Sequence, residues 1–177
     1  SRTFQNIRLF RNLSVLENVM IALDMNYSNY GFGAALLRLP KKKQSEKQLK
    51  EKAYELLNIV DLLDQAMDKS SSLPYGLQRK LEIARALALE PKLLLLDEPA
   101  AGMNPEESMM LVDLIREIRA QFDLSILLIE HHMDVIMGVC DSITVLNFGE
   151  VIADDIPEVI QKDSAVLRAY LGEDYHA

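Results

Sequence analysis

Between Leu93 and Pro105 the chain reads Leu-Leu-Leu-Leu-Asp-Glu-Pro-Ala-Ala-Gly-Met-Asn-Pro, and no other stretch restricts the fold so tightly. Four leucines without alternation predict a strand buried on both faces, as in a parallel sheet. The run stops at two carboxylates, Asp97 and Glu98. In open α/β sheets, ligand and catalytic groups gather at the carboxyl ends of strands, so both acids stand where chemistry is expected. The plain alternative is a pair of turn residues. A single turn former would suffice for that, and Pro99 fixes the chain that leads the two acids away.

At 177 residues and 49% hydrophobic, the chain can bury one sizeable core with a satellite subdomain. No apolar run approaches the ~18 residues that span a bilayer, and the chain does not begin with a signal-peptide pattern, which predicts a cytosolic protein. It begins at Ser1, inside what reads as ordered sequence, so residues upstream are expected. Cys140 is the only cysteine; an internal disulfide is excluded, and a small buried hydrophobe is the expected role. Net charge is −8, divided unevenly: +6 over residues 1–52 and −14 over the rest. A nucleic-acid binder would carry a dominant basic surface, and this balance argues against one. The Lys41-Lys42-Lys43 run, with Lys47, Lys50 and Lys52, reads as a solvated helix face, with docking near an anionic membrane a secondary reading.

In chain order, Val15, Leu16, Val19, Ala22 and Leu23 recur at helical spacing behind a Ser14-x-x-Glu17 capping box. Asn26 to Gly33 reads as a loop, Ala34 to Leu39 as a short apolar run bounded by Pro40, and about Gln44 to Leu63 as an amphipathic helix with Leu49, Ala53, Leu56, Leu57 and Val60 on its stripe. No strands intervene, which suggests a helical subdomain inserted in an α/β body. The loop Ser70 to Gly76 feeds a helix whose apolar face is Leu77, Leu81, Ala84 and Ala88, with Gln78, Arg79, Glu82 and Arg85 opposite. Such a junction is a natural anion site, because free N–H groups and the helix dipole point at it. Asn104-Pro105-Glu106-Glu107 is a helix start, with Leu111, Leu114, Ile115 and Ile118 as the buried stripe. A second strand, Ser125 to Ile129, runs into Glu130-His131-His132, and this rhythm implies parallel crossovers. Asn147-Phe148-Gly149-Glu150 predicts a tight hairpin, and Pro157 to Leu171 two short helices.

A histidine at a strand end is more often exposed or capping than catalytic. His131 and His132 also make a poor metal pair, since neighbours on a strand point to opposite faces. What raises His131 is its place, ending a second core strand on the edge where Asp97 and Glu98 lie.

Gln5, Leu73-Pro74-Tyr75-Gly76, Leu93 to Pro99, Ala101 to Asn104 and His131 occur in the order of the Q-loop, signature loop, Walker B, D-loop and switch histidine of ATP-binding-cassette (ABC) ATPases. Five weak signals in register over about 130 residues make a strong one. The wording Arg2 to Phe10, Leu81 to Leu87 and Ala169-Tyr170-Leu171-Gly172 closely resembles the ATPase subunits of branched-chain amino acid importers, the LivG type. The resemblance covers essentially the whole chain.

It implies an α/β fold, the C-terminal part of an ABC-type P-loop NTPase: a Q-loop segment (1–12), a helical subdomain (13–72), a signature loop and catalytic core (73–153) and a helical tail (154–177). It implies ATP and Mg²⁺ as cofactors. Asp97 and Gln5 would hold the metal, Glu98 would be the general base, and His131 would contact the γ-phosphate. Tyr75, Gly76 and Gln78 would face nucleotide, with Gly102, Met103 and Asn104 at a dimer interface. The implied partners are a second ABC ATPase subunit and transmembrane permease subunits, at the cytoplasmic face of the inner membrane, with no nucleic acid. Three departures stand out. No glycine precedes a lysine, so the chain carries no Walker A motif; Pro74 and Leu77 replace the usual serine and glutamine; and His132 replaces an aspartate. The expected function is ATP hydrolysis powering branched-chain amino acid import, with the isolated chain inactive. The alternatives are an ABC ATPase for another cargo, such as the lipopolysaccharide-export type, or a non-hydrolysing interaction module.

Overall fold

The computed structural model describes residues 1–3, 7–27 and 40–171. The chain divides into two compact units, Ser1–Ile129 and Glu130–Ala177.

In the first unit, helix α1 (Val15–Tyr27) starts at the predicted capping box: Ser14 Oγ accepts from the Glu17 N–H at 3.1 Å, and Glu17 Oε2 accepts from the Ser14 N–H at 2.7 Å. Its five predicted apolar positions are all buried. Helix α2 (Pro40–Ile59) begins earlier and ends earlier than its apolar stripe suggests. It stops before Val60 and Asp61, where Asp61 takes a positive φ of 56°. The predicted loop over Asn26 to Gly33 is shortened at its front, because α1 runs on to Tyr27; the rest of it, and the run Ala34 to Leu39, lie outside the described residues. Helix α3 (Tyr75–Leu87) packs on both α1 and α2, which also pack on each other. The helical cluster therefore includes the helix that follows the predicted loop of residues 70–76.

Strands β1 (Leu93–Asp97) and β2 (Ser125–Ile129) pair in parallel, Leu93 beside Ser125 through Asp97 beside Ile129. Residues 1–3 run along the other edge of β1. The Leu95 N–H donates to Ser1 O and the Thr3 N–H to Leu95 O, each at 2.9 Å. Helix α4 (Pro105–Gln121) carries the predicted buried stripe and is closed at its start by a reciprocal Asn104–Glu107 capping box.

The prediction that β1 is buried on both faces is corrected. Leu94 and Leu96 are buried, whereas Leu93 on the other face is 45% exposed, and Leu127 and Ile129 on β2 are each 55% exposed. Register partners share a face of a parallel ladder, so the Leu94 and Leu96 side of β1 is covered, while the side of Leu93, Leu127 and Ile129 is largely exposed with Leu95 half-buried between.

In the second unit, helix α5 (Met133–Val139) precedes a hairpin of β3 (Ile143–Asn147) and β4 (Glu150–Asp155). Phe148 and Gly149 both have positive φ, 48° and 86°, the requirement of a two-residue type I′ turn. Two helices, α6 (Pro157–Ile160) and α7 (Ser164–Leu171), follow, and α7 contacts β4. No helix among the described residues is long and apolar enough to cross a membrane.

Candidate functional site

The end of β1 is held on both sides. Asp97 is paired through the ladder with Ile129, and the Glu98 N–H donates to Ile129 O at 2.8 Å. Glu98 itself has a φ of 44°. A β-unbranched acid in the left-handed region costs on the order of 1–3 kcal/mol, and such strain clusters where side chains must be aimed for chemistry. The turn continues with the Ala101 N–H donating to Glu98 O at 3.2 Å and the Met103 N–H to Ala100 O at 3.1 Å, with Gly102 at a φ of 78°. Asp97 keeps 23% of its side chain accessible and forms an ion pair with Arg2 at 2.7 Å. An accessible carboxylate at a strand end suits a hard cation such as Mg²⁺, which binds through one or two carboxylates and retains water. Such a cation would share Asp97 with the Arg2 guanidinium.

Tyr75 and Gly76 form the first turn of α3. Its N-cap, Pro74, makes no side-chain capping bond, so no hydroxyl covers the first-turn N–H groups, which is the condition for anion binding there. Gln78 is turned onto its own loop, its amide donating to Leu73 O at 2.8 Å. The loop before α3 and the turn after β1 meet inside this unit. A Cβ built on Gly102 would lie 3.7 Å from Tyr75 Cε1, and one on Gly76 would lie 3.5 Å from Glu107 Oε1. Tyr75, Gly76, Gly102 and the Asn104 cap therefore share one locality, with the Glu107 carboxylate among them. Met103 belongs to the same turn.

The polar face assigned to α3 is the main correction. Arg79 is fully buried and Glu82 nearly so, joined at 2.7 Å, and Arg79 also donates to the Tyr75 hydroxyl at 3.1 Å. The pair travels inward as a unit because each charge satisfies the other. Arg85, on the same face, donates to Arg8 O and sits 5.0 Å over the Phe10 ring, pinning the segment before α1; burial lowers its pKa against the raising effect of Glu82. Arg79, Glu82, Arg2 and Glu107 are the structural participants that periodicity missed. The usable signal was the Tyr75-x-x-x-Arg79-x-x-Glu82 spacing, which stacks one aromatic, one cation and one acid along a single helix face.

Gln5 lies outside the described residues. His131 belongs to the second unit, where it follows the end of β2. The expected divergence of His131 and His132 is overturned: their ring centroids are 4.2 Å apart. β2 ends at Ile129, so strand alternation no longer governs residues 131 and 132. Glu130 Oε2 accepts from the His131 and His132 N–H groups at 3.0 and 3.2 Å and lies 2.8 Å from His132 Nδ1. Cys140, expected to be buried, is only partly so.

A family model described as ABC transporter matches residues 1–101, more than half of the chain. The chain belongs to the ABC transporter family. A second model, branched-chain amino acid ATP-binding cassette transporter, matches residues 150–176 of this ABC chain. The high-affinity branched-chain amino acid transport ATP-binding protein LivG of Escherichia coli K12 is 43% identical over 97% of the chain and 67% of that protein. BraF of Pseudomonas aeruginosa, with the same description, is 42% identical at the same coverage. Among solved structures, the ADP conformation of MJ1267, an ATP-binding cassette of an ABC transporter, superposes with a TM-score of 0.76 at 28% identity, covering 97% of the chain and 67% of that cassette. The ABC chain thus spans about two thirds of the length of the relatives it matches.

Proposed function

We propose that this chain is the larger part of an ATPase subunit that powers import of branched-chain amino acids. The observation that carries the proposal is the end of β1: adjacent carboxylates on a core strand, the second held at positive φ by its bond to Ile129, in a chain 43% identical to a branched-chain transport ATP-binding protein. Glu98 orients the attacking water and accepts its proton, the role a positioned base plays in phosphoryl transfer to water. Asp97 and Gln5 would hold Mg²⁺, which when bound neutralises charge on the β- and γ-phosphate oxygens. His131 contacts the γ-phosphate. Tyr75, Gly76 and Gln78 present the start of α3 to a nucleotide held by a second cassette, the contact being made by backbone N–H groups, since Pro74 has no hydroxyl. Gly102, Met103 and Asn104 line the seam between cassettes.

The partners in this reading are a second ABC subunit and transmembrane permease subunits, with the ATPase peripheral on the cytoplasmic face of the inner membrane. The segments 1–12, 13–72, 73–153 and 154–177 serve as Q-loop segment, helical subdomain, signature loop with catalytic core, and tail. No Gly-Lys dipeptide occurs in the 177 residues, and that motif supplies the main cradle for the phosphates. The 177-residue chain on its own therefore neither binds Mg-ATP at micromolar concentration nor hydrolyses it. Two experiments test the reading. Calorimetric titration of the isolated chain with Mg-ATP should give no saturable heat. The full-length subunit, reconstituted with its permeases in liposomes, should couple ATP hydrolysis to leucine uptake; hydrolysis coupled to a different cargo and not to leucine, isoleucine or valine would overturn the assignment.

A further inference from the structure

The segment that leaves β2 gathers three potential metal ligands from consecutive residues. Glu130, His131 and His132 each offer one ligand atom, and these atoms lie within 4.8 Å of one another. We propose that these three side chains form a binding site for a Zn²⁺-class transition cation. One contact supports it beyond proximity, and the two imidazole centroids are 4.2 Å apart. The Glu130 side chain is fully buried, and its Oε2 gathers two backbone N–H groups and the His132 Nδ1 edge. That contact brings a carboxylate oxygen and an imidazole nitrogen to 2.8 Å, and a cation taken up between them replaces the proton they share, with Oε2 and Nδ1 as two of its ligands.

Imidazole nitrogens with one carboxylate suit Zn²⁺, Cu²⁺ or Ni²⁺ and not Mg²⁺ or Ca²⁺, which prefer all-oxygen shells. Three protein ligands leave a fourth position for water, the open form of a zinc site. Tetrahedral bonds of about 2.0–2.2 Å to nitrogen and oxygen set the donors roughly 3.4 Å apart, so the ligand atoms must draw in, and the exposed His131 ring is the one placed to make that adjustment. The site involves only the second unit and does not depend on the nucleotide reading. If that reading also holds, metal capture withdraws His131 from the γ-phosphate.

The test is titration of the metal-free 177-residue chain with Zn²⁺ alone, followed by calorimetry and by the imidazole C–H resonances of its three histidines. One equivalent should bind, shifting the His131 and His132 signals and leaving His176 in place. His132→Gln and His131→Gln should each weaken binding by about 10–100-fold, and His176→Ala and Cys140→Ser should leave it unchanged. Both glutamine variants alter side chains outside the core, and their circular dichroism should match the parent. Absence of saturable binding, binding indifferent to both glutamine substitutions, or binding lost in His176→Ala would each overturn the proposal.

Discussion

Replacing Glu82 by leucine should be among the most damaging single changes in the first unit, although the sequence pattern places residue 82 on a polar face. Arg79 is fully buried, and its guanidinium meets the Glu82 carboxylate at 2.7 Å. Glu82→Leu removes that carboxylate and leaves the cation where water cannot reach it. The Tyr75 hydroxyl, 3.1 Å from the guanidinium, stays in place as a neutral acceptor. Breaking a buried pair from one side costs about 3–5 kcal/mol, against the roughly 5–15 kcal/mol that holds a domain folded. The assay is urea unfolding of the 177-residue chain, followed by circular dichroism. With a slope of about 1–3 kcal/mol per molar urea, the midpoint should fall by about 1 M or more. Substituting the whole pair, Arg79→Met with Glu82→Leu, removes both desolvation penalties and should recover most of the loss, as apolar replacements of similar volume do elsewhere. A cost for Glu82→Leu below about 1 kcal/mol, the ceiling for an exposed pair, or a double variant no more stable than the single, would refute the reasoning.

Three further outcomes follow from single sites. The Glu17 carboxyl titrates below its ordinary value because the Ser14 N–H, and then the Ser14 hydroxyl, donate to it; a depressed acid contributes stability above its unfolded pKa that is lost as pH falls through its folded one, so α1 should fray between those two acidic values, and Ser14→Ala, which keeps the N–H and loses only the hydroxyl, should reduce that pH dependence in amide exchange without removing it. Burial, and secondarily Asp141, raises the Cys140 thiol pKa, so alkylation by iodoacetamide at pH 8 should run slower than for an unstructured cysteine peptide, and Asp141→Asn should speed it modestly. Gly102→Ala meets only Tyr75 Cε1 at 3.7 Å but must hold a φ of 78°, so it should destabilise by roughly 1 kcal/mol or slightly more, read as a urea midpoint shift.

Elements whose signals are local were legible in the sequence. The Ser14–Glu17 box, the Asn104-Pro105 start, the Phe148-Gly149 turn and the stripe from Leu111 to Ile118 each follow from a few neighbouring residues, and each stands where the pattern put it. Membership of the ABC family was legible too, because the residue order around Asp97 and Glu98 that suggested it needs no knowledge of packing. What was lost depended on partners distant in sequence or on charge going inward. Four leucines suggested two covered faces, yet Leu93 stays open because strand periodicity is silent on which neighbours a face will find. Arg79 and Glu82 looked solvated because hydropathy counts each charge singly and misses their mutual neutralisation. Likewise the Arg2–Asp97 pair joins residues 95 positions apart, and the convergence of His131 with His132 follows from where β2 ends.

The central claim is that Glu98 is the base of an ATPase, and the most direct measurement is turnover of the full-length subunit carrying Glu98→Gln in its reconstituted transporter. Glutamine keeps the side chain's shape and loses its basicity, and a positioned general base is worth about 10²–10⁴-fold in rate. ATP hydrolysis at saturating nucleotide should fall by that factor while ATP binding, measured by equilibrium dialysis, is retained and the ATP-loaded dimer accumulates. Turnover within twofold of the parent at unchanged binding would contradict the account and return Glu98 to the role of a turn residue.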